Sequence, residues 1–422
     1  SERYYRLLGQ PPLYTPYSLY TLASNAIFTH EKATSELGYT TRPFQITLEN
    51  TVNWLKAEGR IWQFVNNSKM LEEYLLRSGI FDHILLERGL NMDINERIPR
   101  ISEETLENFM LDVLVGVGVP KEDAKVVADV LITADRFGID SHGISRLKPI
   151  YYNRIKQGIL SPVTKVDVIR EGPTTAVLDG NHGMGHVISK QAMEIAIAKA
   201  KEYGMGMVAV RNSSHYGIAG YYTLMAAKAG MIGITGTNAR PSIAPTNGVQ
   251  PMLGTNPLTL PTDEEFPFFL DCATSMSQRG KIEVYGRLDK EIPEGWVIGN
   301  DGTARTDTHQ ILKDLTTGEA ALTPLGGLLE ETGSHKGYGY ATVVEILSAA
   351  LQGGAFLHAL SGEKDGKKVP HALGHFFIAI DIEAFTSLDD FKKTTGDILR
   401  DLRASKKAPG KERIYIAGEK EY

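Results

Sequence analysis

From Ile101 onward, apolar and polar positions follow two periods. Leu106, Phe109, Met110, Val113 and Leu114 fall at i, i+3, i+4, i+7 and i+8, the stripe of an amphipathic helix. Ser102 stands as its N-cap, and Glu103 and Glu104 occupy the first turn, where carboxylates complement the helix dipole. A second helix is predicted from Pro120, with Val126, Val127, Val130, Leu131 and Ala134 inward and Gly138 ending it, so that the two read as a helical hairpin. IDSHGISRLKPIYYNRI then reads as a loop leading into a further helix. Beyond Pro162, strand-like TTAVLDG, GMVAVRNS and MIGITGTN alternate with helix-like SKQAMEIAIAKAKEYG and GYYTLMAAKAG, which predicts a layered α/β core. FPFFLD and HFFIAIDI add buried strands, and ATVVEILSAALQGG a helix against the sheet.

The N-terminal part has a different texture. In RPFQITLENTVNWLKAEGRI, Ile46, Val52 and Leu55 interleave with Glu49, Asn53 and Lys56 as on an amphipathic helix, a piece too small alone to hold much core. Its EKA…ELGY…RP…T…TVNWL pattern resembles the C-terminal tail of the extended short-chain dehydrogenase/reductases. Neither that family's glycine fingerprint nor its Tyr-x-x-x-Lys pair occurs in a matching context, so no catalysis is assigned to it. The expected organisation is a reductase-like fragment over 1–62, a helical linker over 63–100, and a main body over 101–422. That body divides into a helical substrate-side region, 101–170, and an α/β cofactor-binding remainder, 171–422.

Composition narrows the function classes. A chain of 422 residues with 42% hydrophobic and 23% charged content has an ordinary globular balance with room for two or three domains. The net charge of -6, without a polybasic run, argues against nucleic acid as a partner. The single cysteine, Cys272, permits no internal disulfide, so a reducing cytoplasm is the expected compartment. No apolar run approaches the roughly 18 residues of a membrane span, and SERYYRLLGQPP lacks a signal-peptide core.

Several stretches carry candidate chemistry. LDGNHGMGHVISKQAM sets Gly183 and Gly185 between a strand and a helix, but Ile188 stands where a Rossmann fingerprint needs glycine, and the next strand ends in Arg211 rather than an acidic ribose ligand. A plain tight turn is the favoured reading there, and His182 and His186 lack the companions of a metal site. IDSHGISRL joins the hydroxyl of Ser141, the imidazole of His142 and the guanidinium of Arg146, a set suited to a small anion, with an N-cap and a solvated arginine as the equal alternative.

In RNSSHYGIAGYY, His215 follows a buried strand and precedes Gly217, at the strand-to-helix edge where α/β proteins bind ligands. It reads either as an acid–base group or as a packed histidine with satisfied nitrogens. A Ser213 or Ser214 nucleophile lacks the G-x-S-x-G elbow. TNARPSIAPTNGVQPMLGTNP is a long ordered loop; LDCATSMSQRGK offers Thr274 and Ser275 at a predicted helix start; GSHKGYGY presents Lys336 between glycines as a cation for phosphate.

Taken in order, IDSHGISRLKPIYYNRIKQGI, RNSSHYGIAGYY, TNARPSIAPTNGVQPMLGTNPL, LDCATS, PLGG, GSHKGYGYA and GHFFIAID resemble the malate/L-lactate/ureidoglycolate/sulfolactate dehydrogenase family, from about Ile101 to the last residue. The resemblance implies a layered α/β/α fold with a mixed sheet and a non-Rossmann cofactor domain, NAD or NADP as cofactor, no metal, and a homodimer. By it, His215 is the general acid/base and His142 a second proton-transfer histidine. Ser141, Arg146 and Tyr151, or Tyr152 given the spacing, are substrate-side residues. Asn238, Ala239, Asp271, Ala273, Thr274, Ser275, Lys336, Gly418 and Glu419 fall on the cofactor side. The implied reaction moves hydride between nicotinamide and a small 2-hydroxy or 2-oxo acid, malate or lactate first, while His215 moves the proton and Arg146 holds the carboxylate.

Ureidoglycolate oxidation, cyclic imine reduction and a non-catalytic binding role stand as alternatives. The foreign N-terminal segment and the stop at Tyr422, soon after GEKEY, depart from the family pattern and bear on stability and activity more than on fold.

Overall fold

The computed structural model describes residues 101–261 and 268–421. The expectations for 1–62 and 63–100 lie outside these residues. The chain divides into two compact units between Gly116 and Val117, and each is taken by itself.

Of the first unit, helix α1 (Glu103–Gly116) is described. Ser102 caps it as expected, its Oγ accepting from Thr105 N at 3.2 Å. Leu106, Met110 and Leu114 are buried, whereas Phe109 lies 53% exposed.

In the second unit, α2 (Lys121–Arg136) begins after Pro120 and ends where Gly138 turns to φ 70°. Val127, Val130, Leu131 and Ala134 are buried as expected, Val126 only half so, and Asp135 joins the buried face. A 3-10 turn (Ile144–Arg146) and a π-helical turn (Leu147–Tyr152) lead into α3 (Asn153–Lys156).

A seven-stranded sheet follows, built from β1 (Asp167–Glu171), β2 (Thr175–Asp179), β3 (Met205–Ser213), β4 (Met231–Thr237), β5 (Leu258–Pro261), β6 (Phe269–Cys272) and, across the small pairs described next, β11 (Leu373–Asp381). Its order is β1-β2-β3-β11-β4-β5-β6. Only β2 and β3 pair in parallel, so the sheet is mixed, and the late strand HFFIAID is inserted between β3 and β4. Two smaller antiparallel pairs are β7 (Val297–Gly299) with β8 (Ala320–Leu322) and β9 (Glu363–Lys364) with β10 (Lys367–Lys368).

Helices α4 (Gly185–Tyr203) and α5 (Gly220–Lys228) pack on one face of the sheet, where Val208, Val210, Phe377 and Ala379 meet Ile188, Ala192, Met193, Ala196 and Tyr222. The remaining helices are α6 (Arg279–Arg287), α7 (Thr308–Thr317), α8 (Ser334–Ala349) and α9 (Leu388–Ala404). Helix α8 packs on β11, β4 and β3, close enough at Gly374 that a Cβ there would sit 1.7 Å from the carbonyl oxygen of Ser348. The result is the expected α/β/α layering.

Pairing register fixes where the loops leave the sheet. Ser213 ends β3 opposite Leu373, which begins β11; His375 of β11 faces Thr237, which ends β4; and Leu258, which begins β5, faces both Gly236 and Cys272 at the end of β6. The segments after Ser213, after Thr237 and after Cys272, and the one before Leu373, therefore all leave from a single edge of the sheet.

Candidate active site

At that edge His215 stands half-buried on the connection from β3 to α5, with Gly217 beside it at φ 77°. A Cβ at 217 would lie 2.5 Å from Val130 Cγ1, so the chain turns tightly here before α5 starts at Gly220. Ser214 does not act as a nucleophile: its Oγ accepts from Gly185 N at 2.9 Å and donates to the Gly183 carbonyl at 2.8 Å. The same contact answers the Gly183/Gly185 question. The first N–H of α4 is taken by Ser214, and a Cβ at 185 would sit 2.3 Å from the Ser214 carbonyl oxygen, so these glycines serve close backbone packing rather than phosphate approach.

The Ser141–Tyr151 segment supplies the facing wall. The hydroxyl of Tyr151 meets His215 Nδ1 at 2.7 Å, and the His142 ring stacks on that of His215 with centroids 5.6 Å apart and planes 21° from parallel. Tyr151 is fully buried, whereas Tyr152 is half-buried, with the Lys156 ammonium 5.8 Å over its ring. Of the two tyrosines, Tyr151 is thus the one that reaches the site. Its reach depends on the π turn, whose extra residue rotates the following side chains; such turns are frequent at functional sites.

Ser141 Oγ contacts His142 Nδ1 at 2.9 Å and accepts from Gln278 Nε2 at 3.2 Å, tying the loop to the residues that precede α6. Arg146 donates through Nε to the Ser141 carbonyl, and its Nη2 stands 3.6 Å from Glu283, an ion-pair distance too long for a good hydrogen bond. Its terminal edge remains available to an anion.

Below the loop lies a residue that sequence reasoning passed over. Asp135 is buried and accepts from Ile144 N at 2.8 Å, and a Cβ at Gly143 would fall 1.8 Å from its Oδ1. The signal was present, since an acid inside the buried stripe of α2 calls for a partner. Gln278, Glu283, Arg154 and His186 were likewise not singled out as site residues.

Electrostatics follow burial and convergence of cations. Burial first, then the charges of His142, Arg154, His186 and Arg146, hold the pKa of His215 well below its ordinary 6.5. Burial and Arg146 lower His142 to about 4. Burial, Arg154, and more weakly Arg240 and Lys368, lower His371 to about 4. Burial raises Asp135 to about 7 despite the Ile144 N–H.

The residues expected on the cofactor side turn their side chains inward. Asn238 donates to the Ala355 carbonyl at 3.1 Å and accepts from Gly374 N at 2.8 Å. Asp271 accepts from Gly220 N at 2.7 Å and from Thr259 Oγ1 at 3.0 Å. Thr274 donates to the Thr255 and Asn256 carbonyls at 3.2 and 3.1 Å, and Ser275 to the Ser277 carbonyl at 2.7 Å. Thr274 and Ser275 are not at a helix start, because α6 begins only at Arg279. Ala239 and Ala273 are half-buried beside these groups.

Lys336 lies exposed within the first turn of α8 rather than ahead of the helix, where its flanking glycines led the sequence reading to put it. Thr274 reaches toward it through the Leu325 N–H, on whose main chain Gly337 packs. Gly418, at φ 94°, and Glu419 lie at the other end of β6, next to Phe269, so the structure does not bring them to Ala273. Burial works to raise the Glu419 pKa, but Ile416 N and the guanidinium of Arg403, with Arg413 beyond it, outweigh this and lower it, and the carboxylate is fully engaged with them at 2.7–2.8 Å.

Comparison with known proteins follows this geometry closely. The profile of the malate/L-lactate dehydrogenase family matches residues 101–422. The chain belongs to that family. Malate dehydrogenase of Pyrococcus horikoshii is 46% identical over 80% of this chain and 90% of its own, and L-sulfolactate dehydrogenase of Methanocaldococcus jannaschii is 40% identical over 76% and 88%. The crystal structure of malate dehydrogenase from Entamoeba histolytica superimposes with a TM-score of 0.74 at 50% identity, covering 76% of this chain and 90% of that one. Membership makes the chain an oxidoreductase of the 2-hydroxy-acid dehydrogenase kind. Among the described residues no helix is long and apolar enough to cross a membrane.

Proposed function

We propose that the chain interconverts malate and its 2-oxo acid, with lactate as the next substrate to consider, using NAD or NADP. The observation that carries this reading is the Tyr151–His215 contact at 2.7 Å beneath a stacked His142. His215 Nδ1 is engaged, and among the described residues Nε2 has no hydrogen-bond partner, leaving it to a substrate oxygen.

In oxidation, His215 Nε2 takes the proton of the C2 hydroxyl; in reduction it returns it. For Nε2 to act as the base, the ring proton must sit on Nδ1, where only a hydrogen-bond acceptor can hold it. The Tyr151 hydroxyl is such a group, whereas the Gly217 N–H, 3.3 Å from Nδ1, is a donor only. Arg146 grips the carboxylate through its free edge, and the nearby charge of Arg154 and Arg240 favours an anionic, and especially a dianionic, acid. His142 covers the His215 ring and keeps water from it.

A bound nicotinamide cofactor supplies the hydride chemistry. The inward-turned side chains of Asn238, Thr274 and Ser275 brace the loops of this side, and Lys336, exposed at the first turn of α8, offers a cation that fits a dinucleotide phosphate. Ala239, Asp271 and Ala273 complete the cofactor side as shaping residues, whereas Gly418 and Glu419, at the far end of β6, brace the sheet there. The regions 101–170 and 171–422 are proposed as substrate-side and cofactor-binding parts of one catalytic body. We also propose a cytoplasmic homodimer, for which the exposed Tyr340, Val343 and Ile346 on α8 offer an apolar face; sedimentation equilibrium measures its mass.

The direct test is NADH and NADPH consumption with oxaloacetate, pyruvate and 3-sulfopyruvate. Turnover with oxaloacetate is expected, and a folded sample silent across the panel would remove the reading.

A further inference from the structure

His186, second residue of α4, is 0% exposed, and among the described residues neither ring nitrogen has a hydrogen-bond partner. Hydrogen-bonding atoms left bare in the interior are costly, and a hydrocarbon of the same size would fill the space without that cost. What the ring touches gives the reason. Its edge packs on the Tyr151 ring with centroids 4.8 Å apart and planes at 63°. Tyr151 in turn places its hydroxyl on His215 Nδ1.

The support behind His186 is rigid. Gly185 N is bonded to Ser214 Oγ, and the space for a Cβ at 185 is closed by the carbonyl oxygens of Ser214 and His215, at 2.3 and 2.6 Å. A Cβ at Gly217 would stand 3.4 Å from His186 Cδ2 and Nε2, so nothing larger separates that ring from the His215 turn. The first turn of α4 thus holds both the main chain that bears His215 and the ring that faces Tyr151.

We propose that His186 is a positioning residue for the acid–base pair: by packing edgewise on Tyr151 it fixes the rotation of that ring and keeps the hydroxyl on Nδ1 of His215. This rests on the proposed role of His215 and Tyr151. The metal and tight-turn readings of HGMGH leave His186 with no task, whereas this one uses its burial and its neighbour.

Two measurements on the whole chain test it. With oxaloacetate, His186→Ala should lower kcat about tenfold or more while KM stays within about threefold, and His186→Phe should restore most of the loss. In a Tyr151→Phe background, His186→Ala should add nothing, because both act through one hydroxyl. A kcat and pH profile unchanged in His186→Ala, or losses that multiply fully in the double variant, would overturn the proposal. If His186→Ala melts early, His186→Leu fills the space and is judged by the same criteria.

The second readout needs no turnover. In protein labelled with 15N-histidine, the His215 ring signals, identified through His215→Gln, should move in His186→Ala and return in His186→Phe. Unmoved signals refute the positioning role even if the wild type proves inactive on every 2-oxo acid, the result that would remove the proposed function instead.

Discussion

On one side of the candidate site, Tyr151 places its hydroxyl on His215, and His142 stacks on the His215 ring while its Nδ1 meets Ser141. On the proposed cofactor side, Asn238, Asp271, Thr274 and Ser275 direct their polar atoms into the protein, onto carbonyls, N–H groups and a hydroxyl, mostly of neighbouring segments. Both sides came from equally distinctive motifs, yet a motif of the first kind is chemistry and one of the second is carpentry. The difference is readable from hydrogen-bond partners: a side chain whose donors and acceptors are satisfied internally shapes a loop.

Substitutions sharpen this contrast, beginning with the largest effect. Tyr151→Phe removes the only acceptor at His215 Nδ1 and leaves the Gly217 N–H, which favours the wrong tautomer; kcat should fall by about 10² to 10³ with little change in KM, measured by steady-state kinetics. Arg146→Gln should raise KM for the 2-oxo acid by about 10- to 100-fold, the worth of a charged hydrogen bond, without altering NADH affinity. At the far end of β6, where Glu419 is bonded internally, the expected losses are of stability. Glu419→Gln, whose carboxylate is 3% exposed between two partly exposed arginines, should lower stability by about 1–2 kcal/mol in urea unfolding and leave kcat within about twofold. A large kcat loss from Glu419→Gln would break the distinction.

The last prediction concerns pH. Burial, with a lesser charge effect between them, lowers the fully buried His186 and His375 to about 3. Between about 6.5 and 3 the unfolded chain binds protons that the folded one refuses, so each ring costs about 1.4 kcal/mol of stability per unit of acidification there. Asp135, raised to about 7 from 3.8, acts in the opposite sense, since between these values the folded state binds the proton. His142 and His371, lowered to about 4, and His215, lowered well below 6.5, act in the same sense as His186 and His375, so the histidines outweigh Asp135 and stability falls from pH 6.5 to 4, visible as a falling unfolding midpoint. A midpoint that climbs on acidification would contradict this.

Much of the fold was legible because buried strands and amphipathic helices carry their period locally. TTAVLDG, GMVAVRNS, MIGITGTN, FPFFLD and HFFIAIDI all contain strands, and the helices follow close to the expected places. What periodicity does not encode is which strands become neighbours: the insertion of β11 between β3 and β4 joins residues about 150 apart, and it is this pairing that brings Ser213, Thr237 and Leu373 to one edge. The β7–β8 and β9–β10 pairs were too short to register. At the site, His215, His142, Arg146 and Ser141 were visible as residue types in loops. The choice of Tyr151 over Tyr152 needed the π turn, and Asp135, Gln278 and His186 needed tertiary contacts that no spacing reveals.

The most direct measurement compares oxaloacetate reduction by the wild type and His215→Ala, with NADH binding followed by fluorescence in the same samples. A loss of kcat by about 10³ or more with NADH affinity unchanged is the predicted result. Turnover retained in His215→Ala would contradict the assignment of proton transfer to this side chain.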